Sequence, residues 1–135
     1  MPGRAALDLA LPEITLHRCD IALALGLPTT IYSGPARAIA SVVATWLLLV
    51  APDEPVPSEP VRYGLTDGSA EWYFRFDDQR WSADECTEGT RTVVGRGRTE
   101  RLVLGLAGRL PLDLAVEEAS DKAELRALKA YLPGP

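Results

Sequence analysis

The chain has 135 residues, of which 47% are hydrophobic, and this length is typical of one domain with its own core. Fourteen basic and nineteen acidic residues give a net charge of −5. The largest basic cluster is Arg96, Arg98 and Arg101, so the footprint expected of a nucleic-acid-binding protein is missing. The longest apolar run, residues 38–50, would form a helix of about 20 Å, too short for a bilayer core of roughly 30 Å.

The N-terminal residues and the cysteines indicate the compartment. The first 20 residues contain early acidic side chains and no clean apolar stretch, which is not the pattern of a signal peptide. The two cysteines, Cys19 and Cys86, define neither a disulfide framework nor a metal-binding spacing. We therefore expect a cytoplasmic protein without a membrane span.

Two helices are predicted in the first third of the chain. Pro12 suits the first turn of a helix, and apolar residues three and four apart predict that this helix covers residues 12–26. A second helix, with small residues in its first half, should cover residues 34–50. Residues 51–60 contain four prolines and are predicted to form an extended connector.

Strands are predicted in the middle of the chain. Val61–Thr66 and Glu71–Phe76 are short runs rich in aromatic and β-branched residues, and Asp67-Gly68-Ser69 between them is a strong hairpin signal. Two further short strands are predicted at residues 79–82 and 91–94.

The last third returns to a helical pattern. We predict a helix over residues 98–110, an edge or closing strand over 112–116 and a terminal helix over 121–132. Asp121, or Ser120 before it, should cap that last helix, with Glu124 in capping-box position. The element order indicates an α+β fold in which helices cover a small antiparallel or mixed sheet.

Four segments carry a family resemblance when they are taken in order. They are Glu13–Asp20 followed by Leu-Gly at residues 25–26, Leu65–Gly68 with Glu71-Trp72, Leu102–Pro111, and the residues from Leu112 onward. Together they resemble the C-terminal half of mycothiol-dependent maleylpyruvate isomerase-like proteins. The resemblance covers nearly the whole chain, from Pro12 to Leu132.

The resemblance implies a domain organisation. Members of that family join an N-terminal DinB-like four-helix bundle to an α+β domain similar to sterol carrier proteins. We therefore expect a single domain over residues 1–135. In it, residues 12–26 would correspond to the last helix of the bundle and residues 34–135 to the sterol-carrier-like domain. The sequence begins just before that helix, so we expect the rest of the bundle to be absent.

Glu13 and His17 are the candidate metal ligands that the resemblance implies. They match the family's Glu-x-x-x-His pair, and a spacing of four places both on one helix face. His17 is the only histidine, whereas a catalytic zinc site uses about three protein ligands. No cofactor is firmly implied, and a divalent metal such as zinc is expected only if a partner supplies ligands. The alternative interpretation is a solvated Glu–His pair.

Aromatic side chains are the candidate ligand-binding residues. Trp46, Tyr63, Trp72 and Phe74 lie on the second helix and the hairpin, where they could line a cleft for a small apolar ligand. They could equally be the packing between sheet and helices. The sequence leaves both interpretations open.

Other residues invite weaker hypotheses. Cys19 is expected to be a packed hydrophobe, and the acidic neighbours of Cys86 should suppress its reactivity. The segment Gly95–Arg98 could bind phosphate before a helix, but it lacks a P-loop pattern and is better interpreted as a flexible turn. Arg109 could pair with Asp113 or Glu117, or complement a helix end.

These observations favour a non-catalytic accessory domain or small apolar-ligand-binding domain. A homodimer, or a partner that carries the bundle, is expected because the absent bundle would leave an apolar patch. The alternative is a subunit or fragment of a metal-dependent, mycothiol-using isomerase or transferase whose site another chain completes.

Overall fold

The computed structural model describes residues 13–22, 24–25, 33–86 and 88–134. Within them the chain is α+β, as predicted, with an N-terminal helix and a five-stranded sheet. The elements in chain order are α1 (13–22), α2 (Ser33–Leu49), β1 (Val61–Thr66), β2 (Glu71–Asp77), β3 (Arg80–Ser82), β4 (Arg91–Arg96), α3 (Thr99–Leu106), α4 (Leu112–Ala115), β5 (Glu118–Ala119) and α5 (Lys122–Tyr131).

The sheet is mixed, with strand order β3-β2-β1-β4-β5. Strand β1 lies at its centre, antiparallel to β2 and parallel to β4, while β3 and β5 pair antiparallel at the edges. The predicted hairpin is confirmed: Val61 pairs with Phe76 and Thr66 with Glu71. Gly68 takes φ 93° in the turn, a left-handed conformation that glycine adopts without strain.

Helices cover one face of the sheet. Alternate residues of the central strands point to that face, so Tyr63, Leu65, Phe74 and Val93 are buried. The opposite face carries polar side chains such as Arg75, which pairs with Asp77 and Asp84. The core is therefore a single layer between the sheet and the helices.

Helix α2 packs chiefly on α3, and small side chains let it approach closely. Ala36 and Ala40 are fully buried and Ala44 nearly so, as the small residues in this half of the helix predicted. A hydrogen bond from Trp72 Nε1 to Ser41 Oγ (3.0 Å) joins β2 to the same helix.

Two predicted elements differ from the structure. The helix predicted for residues 98–110 ends at Leu106, because Gly108 (φ 76°) turns the chain and Arg109 N donates back to Leu104 O. The strand predicted at residues 112–116 is wrong. This segment is the helical turn α4, in which Ala115 N donates to Pro111 O, and Leu114 points outward with 57% of its surface exposed.

The terminal helix confirms its predicted cap, since Asp121 Oδ1 accepts a hydrogen bond from Glu124 N at 3.0 Å. For the first helix, residues 13–22 are helical as expected, whereas its predicted ends at residues 12 and 26 lie outside the described residues. No helix in the described part of the chain is long and apolar enough to cross a membrane.

Candidate functional site

A cavity of about 220 Å³ lies between α1, α2, the end of α3 and the segment Pro133–Gly134. Its wall is mostly aliphatic, with one aromatic side chain, Trp46, and three ionisable side chains. The lining residues are Glu13, Leu16, His17, Val43, Trp46, Leu47, Leu106, Ala107, Arg109, Pro133 and Gly134.

Apolar burial and an ion pair with Arg109 hold α1 beside this cavity. Leu16 and Cys19 are buried on the inner side of the helix. Arg109 donates two hydrogen bonds to Asp20, from Nε to Oδ1 (3.0 Å) and from Nη2 to Oδ2 (2.9 Å). Such a two-point pairing of guanidinium and carboxylate fixes orientation as well as distance. It joins residues 89 positions apart in the sequence.

The pairing of Arg109 with Asp20 corrects the expectation that it would pair with Asp113 or Glu117. Because α3 ends at Leu106, Arg109 lies in the turn after the helix and reaches α1. Asp113 Oδ1 instead lies 3.9 Å from Arg126 Nε.

Glu13 and His17, the candidate metal ligands, both line the cavity. His17 is 69% exposed, and its Nδ1 lies 3.9 Å from Asp20 Oδ2. Both oxygens of Asp20 already accept hydrogen bonds from Arg109, so Glu13 and His17 alone would supply two of about three ligands. Among the residues described, no group of three or more His, Cys, Asp or Glu side chains is placed to hold a metal ion.

Of the four candidate ligand-binding aromatics, only Trp46 lines this cavity. Tyr63 and Phe74 are fully buried and Trp72 nearly so, in the core between the sheet and the helices. Burial raises the pKa of the Tyr63 hydroxyl, which lies 3.5 Å from Glu124 Oε2. Ligand binding by these three residues stays a prediction, and the structure shows that they pack the core.

Lys129 is the residue that the sequence interpretation missed. Its Nζ donates to two backbone carbonyls beside the cavity, Leu106 O (2.7 Å) and Pro133 O (3.1 Å). Burial, reinforced by the nearby charge of Arg109, lowers the pKa of Lys129 to about 8. One signal could have revealed it: Lys129 follows Leu125 by four residues and therefore borders the apolar stripe of α5.

The low pKa of Lys129 predicts that its contribution to stability rises between pH 8 and 10. The unfolded lysine, with a pKa near 10.5, binds a proton that the folded one has released, so folding is favoured as pH increases through this window. The amine is only partly buried, and we expect a gain of about 1 kcal/mol after solvent screening. Urea unfolding at several pH values measures it.

The urea unfolding measurements should extend no higher than about pH 10. The raised pKa of Tyr63 means that the folded protein keeps a proton there that the unfolded chain loses, which lowers stability at higher pH. The raised pKa of Cys19 acts in the same direction between pH 8 and 10, so the effect of Lys129 is measured as the difference between the wild type and Lys129→Met. Between pH 8 and 10 the stability of Lys129→Met should rise less, or fall more, than that of the wild type. An equal change in that variant would assign the effect to other groups.

The structure also shows the surroundings of the two cysteines and of the Gly95–Arg98 segment, the other candidates from the sequence. Burial raises the pKa of the Cys19 thiol, which fits the expected packed cysteine. Cys86 is exposed. In the Gly95–Arg98 segment, Gly97 N donates to Thr66 O at 3.1 Å, so this amide is already occupied. Arg98 pairs with Glu100.

Three comparisons with known proteins complete the description of the site. No protein-family model, no curated protein and no solved structure matches this chain. The family resemblance of the four sequence segments therefore stays a prediction, and the functional argument starts from the cavity.

Proposed function

We propose that this domain binds a small, mostly apolar molecule in the cavity beside α1 and acts as a non-catalytic binding domain. The observation that carries the proposal is the composition of the wall, where Leu16, Val43 and Leu47 line the same hollow as the indole of Trp46. Ligand sites are typically apolar hollows with a few polar groups that orient the ligand. Here Glu13, His17 and Arg109 are those groups.

The cavity volume limits the size of the ligand. An apolar cavity of about 150 Å³ accommodates benzene. A volume of about 220 Å³ therefore suits one substituted ring or a short aliphatic chain rather than a sterol. Phenylacetamide, a neutral molecule of this size, is a suitable probe.

The test is a titration of the protein with phenylacetamide, followed by the indole N–H signal of Trp46 in NMR spectra. We expect that signal to shift on binding. Ala107→Phe should weaken binding about tenfold or more, a loss of about 1.4 kcal/mol, because a large side chain would fill the hollow that Ala107 lines.

Ala130→Phe is the matched control, since Ala130 is exposed on α5 and does not line the cavity. It should bind phenylacetamide like the wild type. Equal binding by the wild type and Ala107→Phe would place the probe elsewhere and refute the proposal, as would the absence of any shift at Trp46.

A second candidate function is a metal site shared with another chain, in a subunit of a mycothiol-using isomerase or transferase. The observation that favours it is the presence of Glu13 and His17 on one cavity wall. Native mass spectrometry tests it: zinc bound at one equivalent and lost in His17→Ala would support this function. Wild-type protein without stoichiometric metal would count against it.

The proposed partner is a second copy of this chain or a bundle-bearing protein. The outer side of α1 offers it an exposed apolar surface. Ile14 and Ile21 on α1, and Leu25 just beyond it, are each more than 60% exposed. Exposed apolar side chains that recur along one helix face are typical of a surface that another element covers.

A further inference from the structure

We propose that the ligand of this cavity is a small monocarboxylate with an apolar body, whose carboxylate is held by Arg109 and Lys129. The inference rests on the proposed function, because it concerns the same cavity and adds the charge of the ligand. It would make the site a receptor for organic anions rather than for neutral hydrocarbons.

The first support is an imbalance of charge at one end of the cavity. Arg109 lines the cavity, and Lys129 lies beside it, where its Nζ donates to two lining residues. These two cations stand against one negative charge, that of Asp20. Among the described residues, Lys129 Nζ donates only to the carbonyls of Leu106 and Pro133, and no ion pair includes it. The cavity residues of α2 (Val43, Trp46 and Leu47) carry no charge. A partly buried cation that has no counter-ion among the described residues, and that lies beside a cavity, marks a candidate anion site.

The end of α3 accounts for only part of this positive charge. Lys129 and Arg109 donate to the carbonyls of Leu106 and Ala107, so both also complement the negative end of that helix. A helix C-terminus is equivalent to about half a negative charge. At this end of the cavity, and among the described residues, roughly half a positive charge therefore remains for a ligand to neutralise.

Unused hydrogen-bond donors are the second support. The guanidinium of Arg109 has five N–H groups, and three of them donate to Asp20 and Ala107. The ammonium of Lys129 has three, and two donate to backbone carbonyls. Within the described structure, two N–H groups of Arg109 and one of Lys129 thus remain for a carboxylate, and bonds between charged partners are the stronger kind.

The opposite end of the cavity restricts the ligand to a single carboxylate. Glu13 precedes Asp20 by seven residues in α1, which is about 10 Å along the helix axis. Its carboxylate would repel a second anionic group on the ligand. Leu16, Trp46 and Leu47 provide an apolar wall that would contact the body of the molecule.

The experiment compares three probes of nearly equal shape at pH 7: phenylacetate, phenylacetamide and 2-phenylethylammonium. Isothermal titration or NMR gives the three dissociation constants. We expect phenylacetate to bind about tenfold more tightly than phenylacetamide, because a charge-assisted hydrogen bond replaces a neutral one. The ammonium probe should bind least well.

Two variants test whether Lys129 causes the preference for phenylacetate over phenylacetamide. Lys129→Met should reduce the advantage of phenylacetate to about twofold or less, while phenylacetamide binds as before. Lys122→Met is the matched control. Lys122 is the only other lysine in the sequence and is exposed at the start of the same helix, so this variant should keep the full preference.

A measurement on the unmutated protein covers the case in which Lys129→Met fails to fold. With lysine carrying carbon-13, the two side chains give two signals, and Lys122→Arg identifies which belongs to Lys129. Saturating phenylacetate should raise the pKa of Lys129 from about 8 and leave that of Lys122 unchanged. Phenylacetamide should move neither.

The outcomes separate the inference from the proposed function. If phenylacetamide and phenylacetate bind the cavity equally well, the anion preference is refuted and small-ligand binding stands. If no probe binds, both are refuted. A preference for phenylacetate that survives in both Lys129→Met and Ala107→Phe would mean that the anion binds elsewhere, which also overturns the inference.

Discussion

Asp67→Ala should lower the free energy of unfolding by about 3 kcal/mol, because it removes a buried carboxylate and leaves its partners unpaired. Only 2% of the Asp67 side chain is exposed. Its Oδ2 accepts from Arg37 Nε on α2 (2.8 Å) and from Thr99 Oγ1 on α3 (2.5 Å). Its Oδ1 accepts the amides of Ser69 and Ala70 within the hairpin turn. Urea unfolding measures the loss.

Two variants control this experiment. Asp67→Asn keeps an acceptor oxygen but no charge, so its loss should lie between that of the wild type and that of Asp67→Ala. Asp53→Ala removes an exposed carboxylate from the connector before β1 and should change stability by less than about 0.5 kcal/mol. Equal urea midpoints for Asp67→Ala and Asp53→Ala would contradict the claim that the buried carboxylate of Asp67 stabilises the fold.

Acid should weaken the contribution of Asp67. Hydrogen bonds from Thr99, Arg37 and the turn amides hold the pKa of Asp67 well below its ordinary value of 3.8, although burial acts in the opposite direction. For an acid with a lowered folded-state pKa, the stabilisation is complete above the unfolded-state pKa and is lost as pH falls further. The wild type should therefore lose more stability than Asp67→Asn below about pH 4.

Gly97→Ala should cost about 2–3 kcal/mol, because the added methyl group would meet the backbone. A Cβ at this position would lie 2.7 Å from Ala115 O and 3.1 Å from Val116 Cα. These atoms cannot easily move, since Glu117 N donates to Arg96 O at 2.8 Å and holds this segment beside β4. Denaturant midpoints with an unchanged slope would measure the loss.

Gly64→Ala, in the central strand β1, is the matched substitution. A Cβ there would lie 3.4 Å from the ring of Tyr73, an ordinary side-chain contact. Because replacing a strand glycine also reduces the entropy of the unfolded chain, we expect no loss or a small gain. A loss as large as that of Gly97→Ala would show that any methyl group disturbs this sheet, whatever its neighbours.

Local sequence signals predicted most of the fold. The hairpin follows from alternating apolar residues around Asp67-Gly68, and the cap of α5 from Asp121 with Glu124 three residues later. At residues 112–116 the alternation of apolar and other residues extends over only five positions, which is too few to distinguish a strand from a helical turn. The pattern Leu-Asp-Leu-Ala-Val fits a short strand, yet it also buries Leu112 and Ala115 on one side of a helical turn.

The site was harder to predict because its contacts join distant segments. Glu13, His17 and Trp46 were singled out from the sequence, and the structure brings them to one cavity. The Arg109–Asp20 pair spans 89 residues, and it depends on the early end of α3. Lys129 carries no motif, and its importance follows only from the carbonyl groups that surround it.

The central position of β1 has a consequence for the order in which the chain assembles. Its antiparallel partner is close in sequence, since Val61 pairs with Phe76, whereas its parallel partner begins at Arg91. Closing the longer loop costs more chain entropy before any contact compensates for it. We expect the β1–β2 hairpin to form first and to present its free edge as a template for β4. A change in the hairpin turn would then slow folding, whereas a change in the β4–α3 turn would mainly speed unfolding.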